Sequence, residues 1–229
     1  MWYINHLKNN GVQGLMNEKR RVSQQEKSNN RKSELVDATL RVIASEGVKA
    51  ATVRSIADEA NVTQGLIRYH FRSKDELIIA AYEKHMTDLI EVAAHSASKG
   101  DYSSAKKRLA MFVQASVKPP IIDAQVIAIW AGFFQLLFHN APMRESHKKT
   151  YNLLRNHIKV LIAQVFEEEG RDANEAELRQ LSIACNAVLD GIWIEGGVIP
   201  DEFSENELVE TAIRAFSALV NVELKQYLT

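Results

Sequence analysis

The chain has 229 residues, 46% of them hydrophobic and 25% charged, with a formal net charge of −1. A single cysteine, Cys185, excludes an internal disulfide framework and cysteine-rich zinc sites, and few alternating apolar runs argue for an all-α fold. No apolar run approaches the ~20 residues that span a bilayer and no apolar signal core opens the chain, so a cytoplasmic protein without a membrane segment is expected.

Residues 1–30 are polar, with scattered basic residues such as Lys19, Arg20, Arg21 and Lys27, and read as a flexible basic N-terminal arm. Met16 is a second candidate start. Residues 1–77 hold 13 Lys and Arg against 9 Asp and Glu, whereas the remainder holds 15 against 20. A basic front on an acidic body suits phosphate contact by one end.

A first helix follows, with Leu35, Ala38, Val42 and Ile43 on one face and Gly47 as its stop. Residues 52–76, TVRSIADEANVTQGLIRYHFRSKDE, then read as two short helices and a tight turn, followed by the capped start of a third. Thr52 is an N-cap, and Val53, Ile56, Ala57 and Ala60 supply an inner face. Asn61 fits a left-handed turn position. Thr63 is a second expected cap and opens a helix in which Leu66, Ile67 and Phe71 face inward. Ser73 and Glu76 have capping-box spacing.

Such a helix-turn-helix lays its second helix in the DNA major groove. Thr63, Gln64, Gly65 and Arg68 are expected nearest the bases. Gln can pair with adenine and Arg with guanine, and Gly65 lets the backbone approach. Thr52, Arg54, Tyr69, His70 and Lys74 are expected mainly at phosphates.

Helical periodicity continues to the C-terminus. Expected helices cover 73–95, 103–117 (stopped by Pro119-Pro120), 122–139 (ended near Pro142) and 143–169 (closed by Gly170). A further helix over 174–195 breaks at Gly196-Gly197, and a last one starts from a Ser204/Glu207 capping box and runs to about Tyr227. The 122–139 helix is apolar nearly all round and is expected to be central.

The run from Thr52 to Leu77 resembles the DNA-binding domain of the TetR family of bacterial repressors. Thr52, Ile56, Ala57, Ala60, Val62, Gly65, Ile67, His70, Phe71, Lys74 and Leu77 match the family pattern. Asn61 replaces its turn glycine and Arg68 a common tyrosine. The resemblance implies about nine helices: a three-helix DNA-binding domain over 31–77, then a ligand-binding and dimerisation domain over 78–229. It also implies a homodimer on a near-palindromic double-stranded operator and a small-molecule inducer in the body. The last two helices, 174–195 and 204–227, would form the dimer contact through Ala212, Ile213, Phe216, Leu219 and Val220.

Ile129-Trp130-Ala131-Gly132-Phe133-Phe134 and Leu189-Asp190-Gly191-Ile192-Trp193 resemble stretches of BetI-type repressors, which respond to choline and control glycine-betaine synthesis genes. This implies a choline-like quaternary ammonium held by Trp130, Phe134 and Trp193, with Asp190 or Glu195 as counter-charge. The other reading of these aromatics is simple core packing. A different hydrophobic inducer, for efflux or catabolism genes, is the alternative. The histidines form no H-E-x-x-H spacing, and no G-x-S-x-G, P-loop or dinucleotide fingerprint occurs, so neither an enzyme nor a resident metal or cofactor is expected. A helical interaction protein without DNA binding is the remaining rival.

Overall fold

The computed structural model describes residues 26, 28–99 and 104–228. Among them are nine α-helices and no strand. The expected basic arm lies outside the described residues over 1–25, and the chain is already helical at 28–30.

Helix α1, residues 28–46, buries Leu35, Ala38, Val42 and Ile43 and stops at Gly47, whose φ of +81° suits a residue without a Cβ. Helix α2, Val53–Glu59, is opened by a reciprocal box. The Thr52 hydroxyl accepts from the Ser55 N–H, and the Ser55 hydroxyl accepts from the Thr52 N–H. Asn61 makes the turn at φ +52°, in the left-handed region expected of it. Helix α3, Gln64–His70, buries Ile67, and Phe71 follows in extended backbone, also buried. Thr63 occupies the N-cap position of α3, but its side chain makes no cap bond, contrary to expectation.

Helix α4, Lys74–Ser98, begins where the Ser73 hydroxyl accepts from the Glu76 N–H. The return bond of this box is displaced by one residue, since the Glu76 carboxylate accepts from the Arg72 N–H. The 25-residue helix belongs to both ends of the molecule: Leu77 and Ile78 are buried near α1–α3, and Tyr82 to Ala97 line the core of the body. The rest of the body is α5 (Ala105–Ser116), α6 (Ala124–Leu137), α7 (Ala141–Glu168), α8 (Glu175–Val198) and α9 (Glu207–Val220). Asp123, Asn140 and Asn174 cap α6, α7 and α8 through their side chains.

Several expected boundaries move. Pro142 opens α7 rather than closing α6, because a first-turn proline has no N–H to lose. Gly196 and Gly197 do not break α8; they are buried inside it. A Cβ at Gly196 would come 2.5 Å from Leu208 Cδ1, and one at Gly197 would come 2.1 Å from Ile127 Cγ1. The glycine pair is therefore a packing notch for α9 and α6. The last helix ends at Val220 rather than Tyr227, with Asn221 at φ +57°. Glu207 does bond Ser204, but α9 starts after Asn206, whose side chain makes no cap bond.

Helix α6 is less central than its composition implies. Ile127, Ile129, Phe133 and Leu137 are buried, while Phe134 is 40% and Phe138 65% exposed. Conversely, Ala212, Ile213, Phe216 and Val220 of α9, the expected dimer face, are buried within the protomer. The strongest apolar face of α9 closes the protomer's own core against α5 and α8. Helix α8 is long and apolar enough to cross a membrane by length and composition, which the sequence did not suggest, but its Ser182, Cys185, Leu189 and Trp193 face is buried.

Candidate nucleic-acid interface and ligand site

The short helix α3 is positioned by two turns. Asn61 sets its angle to α2, and Phe71, buried beneath it, fixes its far end. With Ile67 inward, Gln64, Gly65, Arg68 and Tyr69 are all exposed, one face of a 3.6-residue period. Tyr69 is 79% exposed and meets the half-buried His70 ring edge-on at 5.0 Å. The Thr63 hydroxyl is exposed and free of capping duty. A side chain at position 65 would touch it, since an added Cβ would lie 3.7 Å from Thr63 Oγ1. Arg54, with only a 3.9 Å contact to Asp58, and Lys74, at the start of α4, are exposed on either side. The Thr52 hydroxyl is occupied by Ser55, so a phosphate contact there competes with the cap. The surface combines cations, amide and hydroxyl groups on a protruding helix, and its chemistry is that of groove binding.

In the body, polar groups line the junction of α4, α7 and α8. The Tyr82 hydroxyl is 2.7 Å from His147 Nδ1. Burial pushes the Tyr82 phenol up to about 12, and burial followed by the nearby Arg155 charge holds His147 below its usual range. With both groups neutral, the phenol donates and the ring accepts. His147 packs on Tyr151 with ring centroids 4.1 Å apart. The Tyr151 hydroxyl donates to Asp190 Oδ1 at 3.3 Å, and Asn186 Nδ2 donates to Asp190 Oδ2 at 2.7 Å. Burial pushes the Asp190 carboxyl up to about 6 against the opposing pull of Tyr151, Arg155 and Asn186. Trp130 also contributes a side-chain hydrogen bond at Tyr151 and packs on Phe134 with centroids 4.9 Å apart.

Three of the five residues expected at a ligand therefore gather around Tyr151: Trp130 and Asp190 directly, and Phe134 through Trp130. The other two do not join them. Trp193 donates its indole N–H to the Ser116 carbonyl at 2.7 Å and is 6% exposed, so it fastens α8 to α5. Glu195 is exposed on the outer side of α8, beside Ile194 and Val198. Sequence reasoning missed His147, Tyr151 and Arg155. Their signal was present as three polar residues four apart along an amphipathic helix. A cleft of about 1100 Å³ lies elsewhere, between the end of α4, α5 and α7, with Val92, Phe112 and Leu161 on its wall.

A protruding helix-turn-helix joined by a long helix to a helical body with a polar-aromatic junction defines a DNA-binding transcriptional regulator. Residues 35–81 match the model of bacterial regulatory proteins of the tetR family, and residues 105–221 match that of the BetI-type transcriptional repressor C-terminal domain. The chain belongs to the TetR family, with a C-terminal domain of the BetI type.

Similar proteins agree. The HTH-type transcriptional regulator BetI of Burkholderia thailandensis is 28% identical over 184 residues, covering 80% of this chain and 89% of its own length. BetI of Burkholderia ambifaria is 28% identical over 171 residues, 73% of this chain and 82% of the relative. A transcriptional regulator from Pseudomonas aeruginosa PAO1 has the same fold, with a TM-score of 0.75 and 26% identity, covering 87% of this chain and 95% of that one. A regulator from Saccharomonospora viridis, solved in complex with choline, shares the fold at a TM-score of 0.62 and 18% identity, over 82% and 94% of the two chains.

Proposed function

We propose that this chain is an inducer-responsive repressor that binds a near-palindromic operator as a cytoplasmic homodimer. Its inducer carries a quaternary ammonium group, and its target genes belong to choline and glycine-betaine metabolism. The observation that carries the inducer reading is the meeting of Trp130, Tyr151 and Asp190 at one point in the body. Aromatic faces attract a quaternary ammonium, and a carboxylate supplies its counter-charge. The choline complex of the Saccharomonospora viridis protein supports the same ligand class.

Residues 31–77 form the DNA-reading unit and residues 78–229 the sensing and pairing unit. Thr63, Gln64, Gly65 and Arg68 read bases, while Arg54, Tyr69, His70 and Lys74 hold phosphates, with Thr52 chiefly a cap. Pairing uses the outer stripes of α8 and α9. Ala187, Gly191, Ile194 and Val198 recur at spacings of four, three and four and are exposed, and Thr211, Ala215 and Ala218 continue the pattern on α9 with exposed or half-buried positions. An exposed stripe at this spacing can seat the matching stripe of a second copy.

The test is a fluorescence-anisotropy titration against DNA from upstream of the protein's own gene, beside scrambled DNA, with and without choline. Binding to the native DNA tighter by ~1000-fold and weakened by choline supports the whole reading. Specific binding that is indifferent to quaternary ammonium compounds would leave the regulator and remove the inducer.

A further inference from the structure

Arg155 is the group that a simple cation site leaves unused. Helices α7 and α8 run antiparallel where they meet: Lys159 pairs with Glu175 near one end, and Tyr151 bonds Asp190 further along. Four residues on from Tyr151 and four back from Asp190 stand Arg155 and Asn186. They form the next layer of the same contact, about 6 Å along the helix axes.

That layer is not satisfied from within. Arg155 Nε is buried without a hydrogen-bond acceptor among the described residues, and Asn186 Oδ1 is buried without a donor. The guanidinium carbon lies 5.7 Å from the Tyr151 ring centroid, on the wall of the proposed site. Arg155 is close enough to stabilise the Asp190 carboxylate, yet no ion pair joins the two among the described residues. A buried donor or acceptor left without a partner is costly. A plain quaternary ammonium would answer Asp190 and face the like charge of Arg155. A ligand with a cation at one end and a carboxylate at the other would answer both.

We propose that the site is built for a zwitterion, a trimethylammonium carboxylate, whose onium group sits among Trp130, Tyr151 and Asp190 and whose carboxylate pairs with Arg155. The proposal rests on the quaternary-ammonium reading above and narrows it. Arg155 sets the selectivity: guanidinium presents a planar fork of donors to a carboxylate.

The test is isothermal titration calorimetry on the full-length protein with choline and with trimethylammonium carboxylates of one, two and three methylenes. At least one carboxylate should bind about tenfold tighter than choline or better. Arg155→Met should reverse that order, and Arg155→Lys should retain part of it by keeping the charge. Circular dichroism and operator titration report whether each variant folds. Choline binding as tightly as every carboxylate, or a selectivity ratio unchanged in a folded Arg155→Met, would overturn the proposal. Should neither choline nor any carboxylate bind to protein that still holds its operator, the quaternary-ammonium reading itself fails and takes the proposal with it.

Discussion

The Tyr151 hydroxyl meets Asp190 Oδ1 across the α7–α8 contact at 3.3 Å, and burial pushes that carboxyl up to about 6. A raised acid holds its proton more tightly in the folded chain than in the unfolded one. Its contribution to stability is therefore complete below about pH 4 and is lost as pH rises through about 6. Cation binding needs the ionised form, so affinity for a quaternary ammonium ligand should fall as pH drops through about 6. Calorimetric titrations between about pH 5 and 8 check this. Asp190→Asn should weaken binding at neutral pH and flatten the profile.

Gly197→Ala should destabilise the protein by about 1–3 kcal/mol, the usual cost of overpacking, because the new methyl would sit 2.1 Å from Ile127 Cγ1. Ile127→Ala in the same chain should recover part of the loss, which denaturant unfolding of the single and double variants would show. Gly191→Ala meets nothing within 4 Å in the protomer and should not destabilise it. A loss there would report a second copy packed against α8.

Thr52 and Thr63 hold the same position before α2 and α3, but only Thr52 bonds its helix. Thr52→Ala should cost about 1 kcal/mol of stability. Thr63→Ala should leave unfolding unchanged and weaken operator binding. A stability loss equal to that of Thr52→Ala would show that the Thr63 hydroxyl caps after all.

Arg68→Ala should relax operator choice and cost about 1–3 kcal/mol on the operator if Arg68 pairs with guanine. Anisotropy with operator and random DNA separates the cases. Equal losses on both would mean that it touches phosphate alone.

Ile194→Glu puts a charge at an exposed position in the proposed pairing stripe of α8. Sedimentation should show monomers where the parent chain is dimeric, with weakened binding to a two-half-site operator. Dimers that persist would move the interface elsewhere.

The DNA-binding end was largely legible in the sequence because its determinants are local. Thr52, Asn61, Gly47 and Ser73 each act on backbone within a few residues, so a cap or a left-handed turn can be read from residue type. The body was less legible because its determinants are long-range. Gly196-Gly197 looked like a break, since nothing nearby announces that Ile127 and Leu208 need the space. The apolar face of α9 looked like an interface, since periodicity tells that a face is buried and not by what. The resemblance places Trp193 and Glu195 with Asp190, but the Ser116 carbonyl claims the first and solvent the second. Tyr151 and Arg155 went unnoticed because their partners lie about 30 to 40 residues away on α8.

Helix α4 runs unbroken for 25 residues from Lys74, beside the DNA-reading helix, to Ser98, exposed at the far end of the body. At 1.5 Å per residue it is a rod of about 37 Å. Tyr82, on its inner face, touches His147 at the edge of the polar junction. A tilt of about 5° about its body end carries the Lys74 end about 3 Å, close to the rise of one base pair. Tyr82 stands about 24 Å from the body end, so that 3 Å corresponds to a shift of about 2 Å at the polar junction, and in the proposed dimer two such rods would swing in opposite senses. On the proposed reading the rod would be a lever whose modest gain is fixed by how far along it Tyr82 sits.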